Sequence, residues 1–337
     1  QIRVMNKTPS QWNGMKDEFM KRTIVFLFIS LSFLASRGQK YLVEQYTEID
    51  GLSNSTVFDL EQDKRGQMWF ATKNGISMYD GNSWKNFGKP DGLNRRSYSE
   101  IEIDQKGQIW ALARSGTAKL SYLKDGKWIS VYNKKPSPVF SKINFLEILY
   151  DREDNLNALI APNNDGIYIY KHGRLEHLNL SDNRRSDKVS GLKKTGDSIL
   201  IASHGGLHLF HNYQVYKNIE KEYGIDPDLY GLEIQKLKNG KIRIWLAGKN
   251  WIGFIQDNEF RVVANHFDFV TDKQTYFVGM EAVDQGIYIY NPFFIFYHDL
   301  KTGETEHLGE QSGLISEGGT DILIDREKNI WIASFRG

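Results

Sequence analysis

Asp63-Lys64-Arg65-Gly66-Gln67-Met68-Trp69 is the stretch whose reading decides this fold, because it comes back. Asp104-Gln105-Lys106-Gly107-Gln108-Ile109-Trp110 repeats it, and Asp325-Arg326-Glu327-Lys328-Asn329-Ile330-Trp331 returns to it near the end. A Gly-Leu pair stands 18 residues before each tryptophan, at Gly51-Leu52, Gly92-Leu93 and Gly313-Leu314. Recurrence at fixed offsets is the mark of a repeat architecture.

Outward from the first copy, the pattern is one of short strands and tight turns. Thr56 to Leu60 is rich in β-formers and runs into the turn at Asp63–Gly66. Gln67 to Thr72 reads as the next strand, and Lys73-Asn74-Gly75 as a turn in which glycine can take a positive φ. Ile76 to Tyr79 alternates, Asp80-Gly81 is a hairpin signal, and Trp84 to Phe87 is a fourth strand. Four strands in about 43 residues predict one blade of a propeller.

Six further segments align to the second and third strands of that blade. They are Trp110 to Ala113 with Gly116, Ala158 to Ala161 with Gly166 to Tyr170, and Leu200 to Ala202 with Gly206 to Phe210. Trp245 to Ala247 with Trp251 to Ile255, Met280 to Ala282 with Gly286 to Tyr290, and Trp331 to Ala333 with Gly337 complete the set. At the other end, Tyr46 precedes Gly51 by the interval that separates Phe87 from Gly92, so Tyr41 to Tyr46 reads as a fourth strand with no blade before it. The expectation is an all-β propeller of four-stranded blades, seven in number, the seventh incomplete and closed by the N-terminal strand. On this reading the chain is cut from a longer protein. A six-bladed ring with a spare unit is the alternative.

The 337 residues carry 43 basic and 42 acidic side chains, so no strong field favours nucleic acid. Cysteine is absent, which excludes disulfides, thiolate metal sites and a cysteine nucleophile. Lys21-Arg22 precede the apolar run Ile24 to Leu34, followed by small residues, as in a secretory signal peptide cleaved near Gly38-Gln39. A retained anchor is the other reading, but the run is shorter than the roughly 20 residues a spanning helix needs. Upstream residues and signal peptide are therefore assigned to 1–38, and a periplasmic or extracytoplasmic propeller domain to 39–337.

Gly51-Leu52, Val57, Asp63, Gly66, Trp69, Ala71-Thr72, Asn74-Gly75-Ile76 and Tyr79-Asp80-Gly81 together resemble the two-component regulator propeller repeat. The first and last copies match well, the second in part, the middle ones weakly. The resemblance implies the sensor region of a hybrid or simple histidine kinase, reading an extracytoplasmic signal, with glycan fragments as the best-known ligand class. It also implies a kinase module and a membrane helix beyond Gly337, so this stretch itself is not expected to be an enzyme.

The repeated Asp and Trp read as scaffold, the Asp capping backbone N–H groups of its turn and the Trp packing between blades. The frame differs from the Asp box of sialidases, where Gly follows Asp by two residues. His204, His208 and His211 have helical metal spacing, but Leu207 to Phe210 alternates like a strand, so no metal site is expected. No nucleophile or phosphate-loop motif occurs, and neither a catalytic residue nor a cofactor is assigned.

Function in such a ring falls to loops on one face, those entering each first strand and those joining second to third strands. The candidate ligand-binding residues there are Lys73, Asn74, Arg95, Arg96, Tyr98, Arg114, His204, Lys249, Trp251 and Arg336. Asp226 to Tyr230 lies in a loop of the same kind. Such side chains suit a polar, even anionic, sugar. The favoured function is sensing of a carbohydrate or related small molecule, which would shift the relation between protomers of a full-length homodimer. A protein-interaction scaffold and a propeller lyase or hydrolase are the alternatives.

Overall fold

The computed structural model describes residues 41–336 except 95, 115, 118–119, 132–138, 141–142, 152–154, 163–165, 181–187, 213, 217–218, 266–269, 272–273 and 276–277. The signal-peptide assignment lies outside the described residues. Two units are distinguished, Gln1–Val43 and Glu44–Gly337. The second is the propeller.

The sequence frame builds each blade from its turn. Asp63 Oδ1 accepts the amides of Arg65 (2.8 Å) and Gln67 (3.0 Å), and Asp63 Oδ2 accepts the indole N–H of Trp69 at 3.3 Å. Asp104 and Asp325 hold Trp110 and Trp331 the same way, each at 2.8 Å. One carboxylate thus closes a turn and fixes the largest side chain of the next strand, so the repeat is scaffold as its spacing suggests. Where the fifth blade lacks this turn, Gln235 Oε1 takes the Trp245 indole at 3.1 Å. Asp151 and Asn155 make the same turn in the third blade (3.0 Å), with Leu159 in place of tryptophan.

Among the described residues, six antiparallel four-stranded sheets and a two-stranded seventh make up the ring, and Gly116–Thr117 with Val139–Phe140 and Val270–Thr271 with Gln274–Thr275 form two further short pairs. The inner strands of the ring are Val57–Gln62, Tyr98–Ile103, Ile143–Tyr150, Val189–Thr195, Gly231–Lys236, Gly279–Val283 and Asp321–Ile324. Each lies beside the next, and the last lies beside the first, so the ring closes. The seam is hydrogen-bonded: Val57 N–H donates to Ser334 O (3.0 Å), Thr320 Oγ1 to Val57 O (2.8 Å), and the Arg326 guanidinium to the carbonyls of Asp63 and Lys64 (2.8 Å each). Apolar layers between blades form the core; Trp69 and Trp245, 1% and 0% exposed, are among its largest members.

The N-terminal segment reaches the seventh blade through side chains. Residues 42–47 form no strand, so the expected closure of the seventh blade by an N-terminal fourth strand is not observed. Tyr46 nevertheless stacks on Trp331 at 5.7 Å and 21°, matching Phe87 on Trp69 at 5.7 Å and 18°. It occupies the place that the offset to Gly51 assigns to it.

The sixth blade corrects the sequence alignment. Gly279–Val283 is its inner strand and Gly286–Asn291 its second, whereas the alignment made these the second and third. The pentapeptide Gly-Ile-Tyr-Ile-Tyr misleads: at 166–170 it leads into a third strand, at 286–290 it is a second. Its alternation fits any strand buried on both faces, so pattern alone does not rank it within a blade.

Candidate functional site

A cavity of about 740 Å³ runs along the ring axis. Ring closure makes it: the face of each inner strand that alternates away from the blade core turns inward. Strand register sorts its wall into belts. Opposite Trp69, Trp110, Leu159, Leu200, Trp245, Tyr288 and Trp331 stand Glu61, Glu102, Glu147, Lys193, Glu233, Glu281 and Leu323. Two residues earlier in each strand come Asp59, Glu100, Phe145, Gly191, Gly231, Gly279 and Asp321. The second belt is lopsided, with three carboxylates on adjacent blades facing three glycines. Those glycines admit close packing: a Cβ on Gly191 would sit 2.4 Å from Leu232 Cβ, and one on Gly231 2.5 Å from Val278 O.

Several of these acids join the blades, whose inner strands do not pair with one another. Asp321 accepts the amide of Leu60 (3.2 Å) and the Tyr290 hydroxyl (2.6 Å), and Asp59 accepts the amide of Ile101 (2.6 Å). Glu147 accepts the amide of Lys194 at 3.1 Å, and Lys193 Nζ meets Glu233 at 2.6 Å. Glu100 and Glu102 accept no hydrogen bond from the described residues. Burial pushes Glu61 up to about 8, with Asp321 adding, and Glu281 to about 8, with Glu233 adding. Glu147 rises to about 7, burial outweighing the opposing pull of Lys193. Burial also raises Asp59, Glu100 and Glu102 well above the usual carboxylate range. Burial would depress Lys193, but Glu233 and its neighbours reverse this and hold it above the ordinary lysine range.

The mouth is lined at residues that follow second strands or open first strands. Phe58, Lys188 and Arg114 line it together with Phe293 and Phe335, which are 57% and 48% exposed. The Arg114 guanidinium lies 3.8 Å from the centre of the Phe58 ring, and Phe58 meets Phe335 edge-on at 6.3 Å. Burial lowers Arg114 and Lys188 from their ordinary values.

Of the described candidate residues, only Arg114 lines the cavity. Lys73, Asn74, Arg96, Lys249 and Arg336 are exposed, and Arg95 lies outside the described residues. Tyr98 is fully buried in the core between the first and second blades, because it opens the inner strand rather than closing the loop before it. Trp251 is half-buried and packs edge-on against Phe260 at 5.3 Å. His204 pairs its Nδ1 with Asp228 at 2.9 Å, its ring meets that of Tyr230 at 4.7 Å in a tilted contact, and Tyr230 donates to the same carboxylate at 3.0 Å. The hydrogen bond from His204 helps hold Asp228 below its usual range. His208 and His211 point to Ser203 and Ser198 instead, and no group of metal-binding residues forms among the described residues. The sequence reading missed the belts, although an apolar residue followed by a charged one recurs as Leu60-Glu61, Ile101-Glu102, Leu146-Glu147, Leu192-Lys193, Leu232-Glu233 and Met280-Glu281.

Residues 51–74 match the family described as two component regulator propeller. Over 62 residues the chain is 42% identical to histidine kinase P4 of Formosa agariphila, a span of 18% of this chain and 4% of that protein. The fold resembles the extracellular domain of a hybrid two-component system from B. thetaiotaomicron, with TM-score 0.62, 19% identity, and coverage of 88% of this chain and 41% of that one. It also resembles a streptogramin B lyase, with TM-score 0.58, 17% identity, and coverage of 84% and 92%. Among the described residues no helix is long and apolar enough to cross a membrane. With its Asp-to-Trp frame repeated around a closed ring, the chain is a β-propeller whose residues 51–74 match the two component regulator propeller family.

Proposed function

We propose that this propeller is the extracytoplasmic ligand-sensing part of a two-component signalling protein, and that it takes a carbohydrate or related small molecule at the mouth of its axial cavity. The observation that carries the reading is the mouth itself. Exposed Phe293 and Phe335 and the Phe58–Arg114 pair stand over a polar cavity of about 740 Å³. Aromatic faces suit sugar C–H surfaces, and carboxylates below them suit sugar hydroxyls as acceptors. Export by the N-terminal signal segment and coupling to a kinase in the full-length protein belong to the same reading. Binding would act on signalling only through different affinities for two states of the assembly. Calorimetric titration of neutral, acidic and amino oligosaccharides into the folded chain tests it; heats for none of them reject it.

A second reading has its own observation. His204 Nδ1 bonded to Asp228 leaves Nε2 to act as an acid–base group beside Tyr230, as a lyase or hydrolase requires. Turnover of any bound sugar, lost in His204→Ala with binding retained, would establish it. Binding without turnover would remove it.

A further inference from the structure

The carboxylates of the cavity are not equivalent. Asp59, Asp321 and Glu147 accept amides of neighbouring blades, and Glu233 holds Lys193. One wall is left over. On the inner strand of the second blade, Glu100 and Glu102 line the cavity without a hydrogen-bond partner among the described residues. Beside them Ser99, 6% exposed, also lines it, and its buried Oγ is unpartnered. Three acceptors from one strand thus face a roomy cavity that the protein does not satisfy. Leaving buried polar groups unsatisfied costs free energy, and a cation bound beside Glu100 and Glu102 would offset the burial that favours their neutral form. The surplus is acidic, with Lys193 the one cation among the two carboxylate belts. A compact metal chelate does not fit, since no metal-binding group forms among the described residues. Acceptors set along one strand suit an ammonium group, which has three N–H donors.

We propose that the second-blade wall formed by Ser99, Glu100 and Glu102 binds the primary ammonium groups of a small-molecule ligand, so that an amine-bearing sugar is preferred to its neutral or acidic counterparts. The choice of a sugar rests on the function proposed above; the choice of an amine rests on this wall alone. Spermidine supplies the same ammonium chemistry without a sugar.

The test titrates three probes into the full chain in amine-free buffer: a β-1,4-linked glucosamine disaccharide, its N-acetylated form, and spermidine. The same titrations follow on Glu100→Gln/Glu102→Gln, with folding checked by circular dichroism, and on Ser99→Ala as a milder change. The amine disaccharide should bind at least tenfold more tightly than the acetylated one, and the double variant should lose at least tenfold for the amine form only. Spermidine binding that the double variant abolishes, with no saccharide bound, supports the amine wall and rejects the sugar. Equal or tighter binding of the acetylated form overturns the amine wall and leaves the sugar reading standing. Amine binding unchanged in the double variant, or no binding by any of the three, also overturns the wall.

Discussion

Raising the pH should weaken this fold, and the carboxylate belts give the size of the effect. Glu61 and Glu281 are pushed up to about 8 and Glu147 to about 7, from an ordinary 4.5. At pH 7 the unfolded chain has released these protons and the folded chain keeps about two of them, shared within the cluster. Each extra proton on the native state lowers stability by about 1.4 kcal/mol per pH unit. The sign follows from raised carboxylate values: the stabilisation is full below about pH 4.5 and is lost as pH rises through about 8. Water in the cavity and sharing of protons reduce the sum, so the expected loss between pH 7 and 8 is about 1–3 kcal/mol. Urea unfolding followed by tryptophan fluorescence at pH 6.5, 7, 7.5 and 8, in amine-free buffer, measures it. Glu61→Gln should flatten the slope by up to about 1.4 kcal/mol per pH unit and stabilise the chain at pH 8. Stability that is level or rising over this range, or a slope unchanged by Glu61→Gln, would refute the reasoning.

Other expectations follow from the scaffold and the mouth. Trp69→Ala removes a side chain that is 1% exposed and the donor to Asp63, and should cost about 3–5 kcal/mol in urea unfolding. Gly92→Ala places a Cβ 2.2 Å from Trp128 O at a residue with φ +97°, so it should cost more than about 1 kcal/mol by the same assay. Gly126→Ala, where no atom lies within 4 Å of the added carbon, should cost less than Gly92→Ala. Arg326→Ala removes two hydrogen bonds of 2.8 Å across the ring seam and should lower the unfolding midpoint without altering mouth binding, as read by calorimetry.

Sequence made the ring legible because its spacing carries hydrogen bonds. Asp63 and Trp69 stand six apart since the Asp must close a turn and reach an indole on the next strand. Tyr46 was placed by its interval to Gly51 and stacks on Trp331 accordingly. In blade six the alternation of Gly286 to Tyr290 says strand without saying which one, and the segment is the second strand, not the third. The cavity wall escaped for a different reason. A glutamate alternating with apolar residues, as in Leu60-Glu61, reads as solvent-facing in an open sheet, and only closure of the ring turns it inward. Tyr98 follows the exposed Arg96 in sequence, but the strand begins at Tyr98 itself and draws it into the core.

Hydrogen exchange of the chain with and without a bound oligosaccharide tests the central claim most directly. Protection should concentrate at the inner strands around Phe58 and Ser99 and at the turns carrying Arg114, Phe293 and Phe335, and Phe293→Ala/Phe335→Ala should weaken binding at least tenfold. Protection confined to the outer strands, or full affinity in that double variant, would contradict a ligand site at the axial mouth.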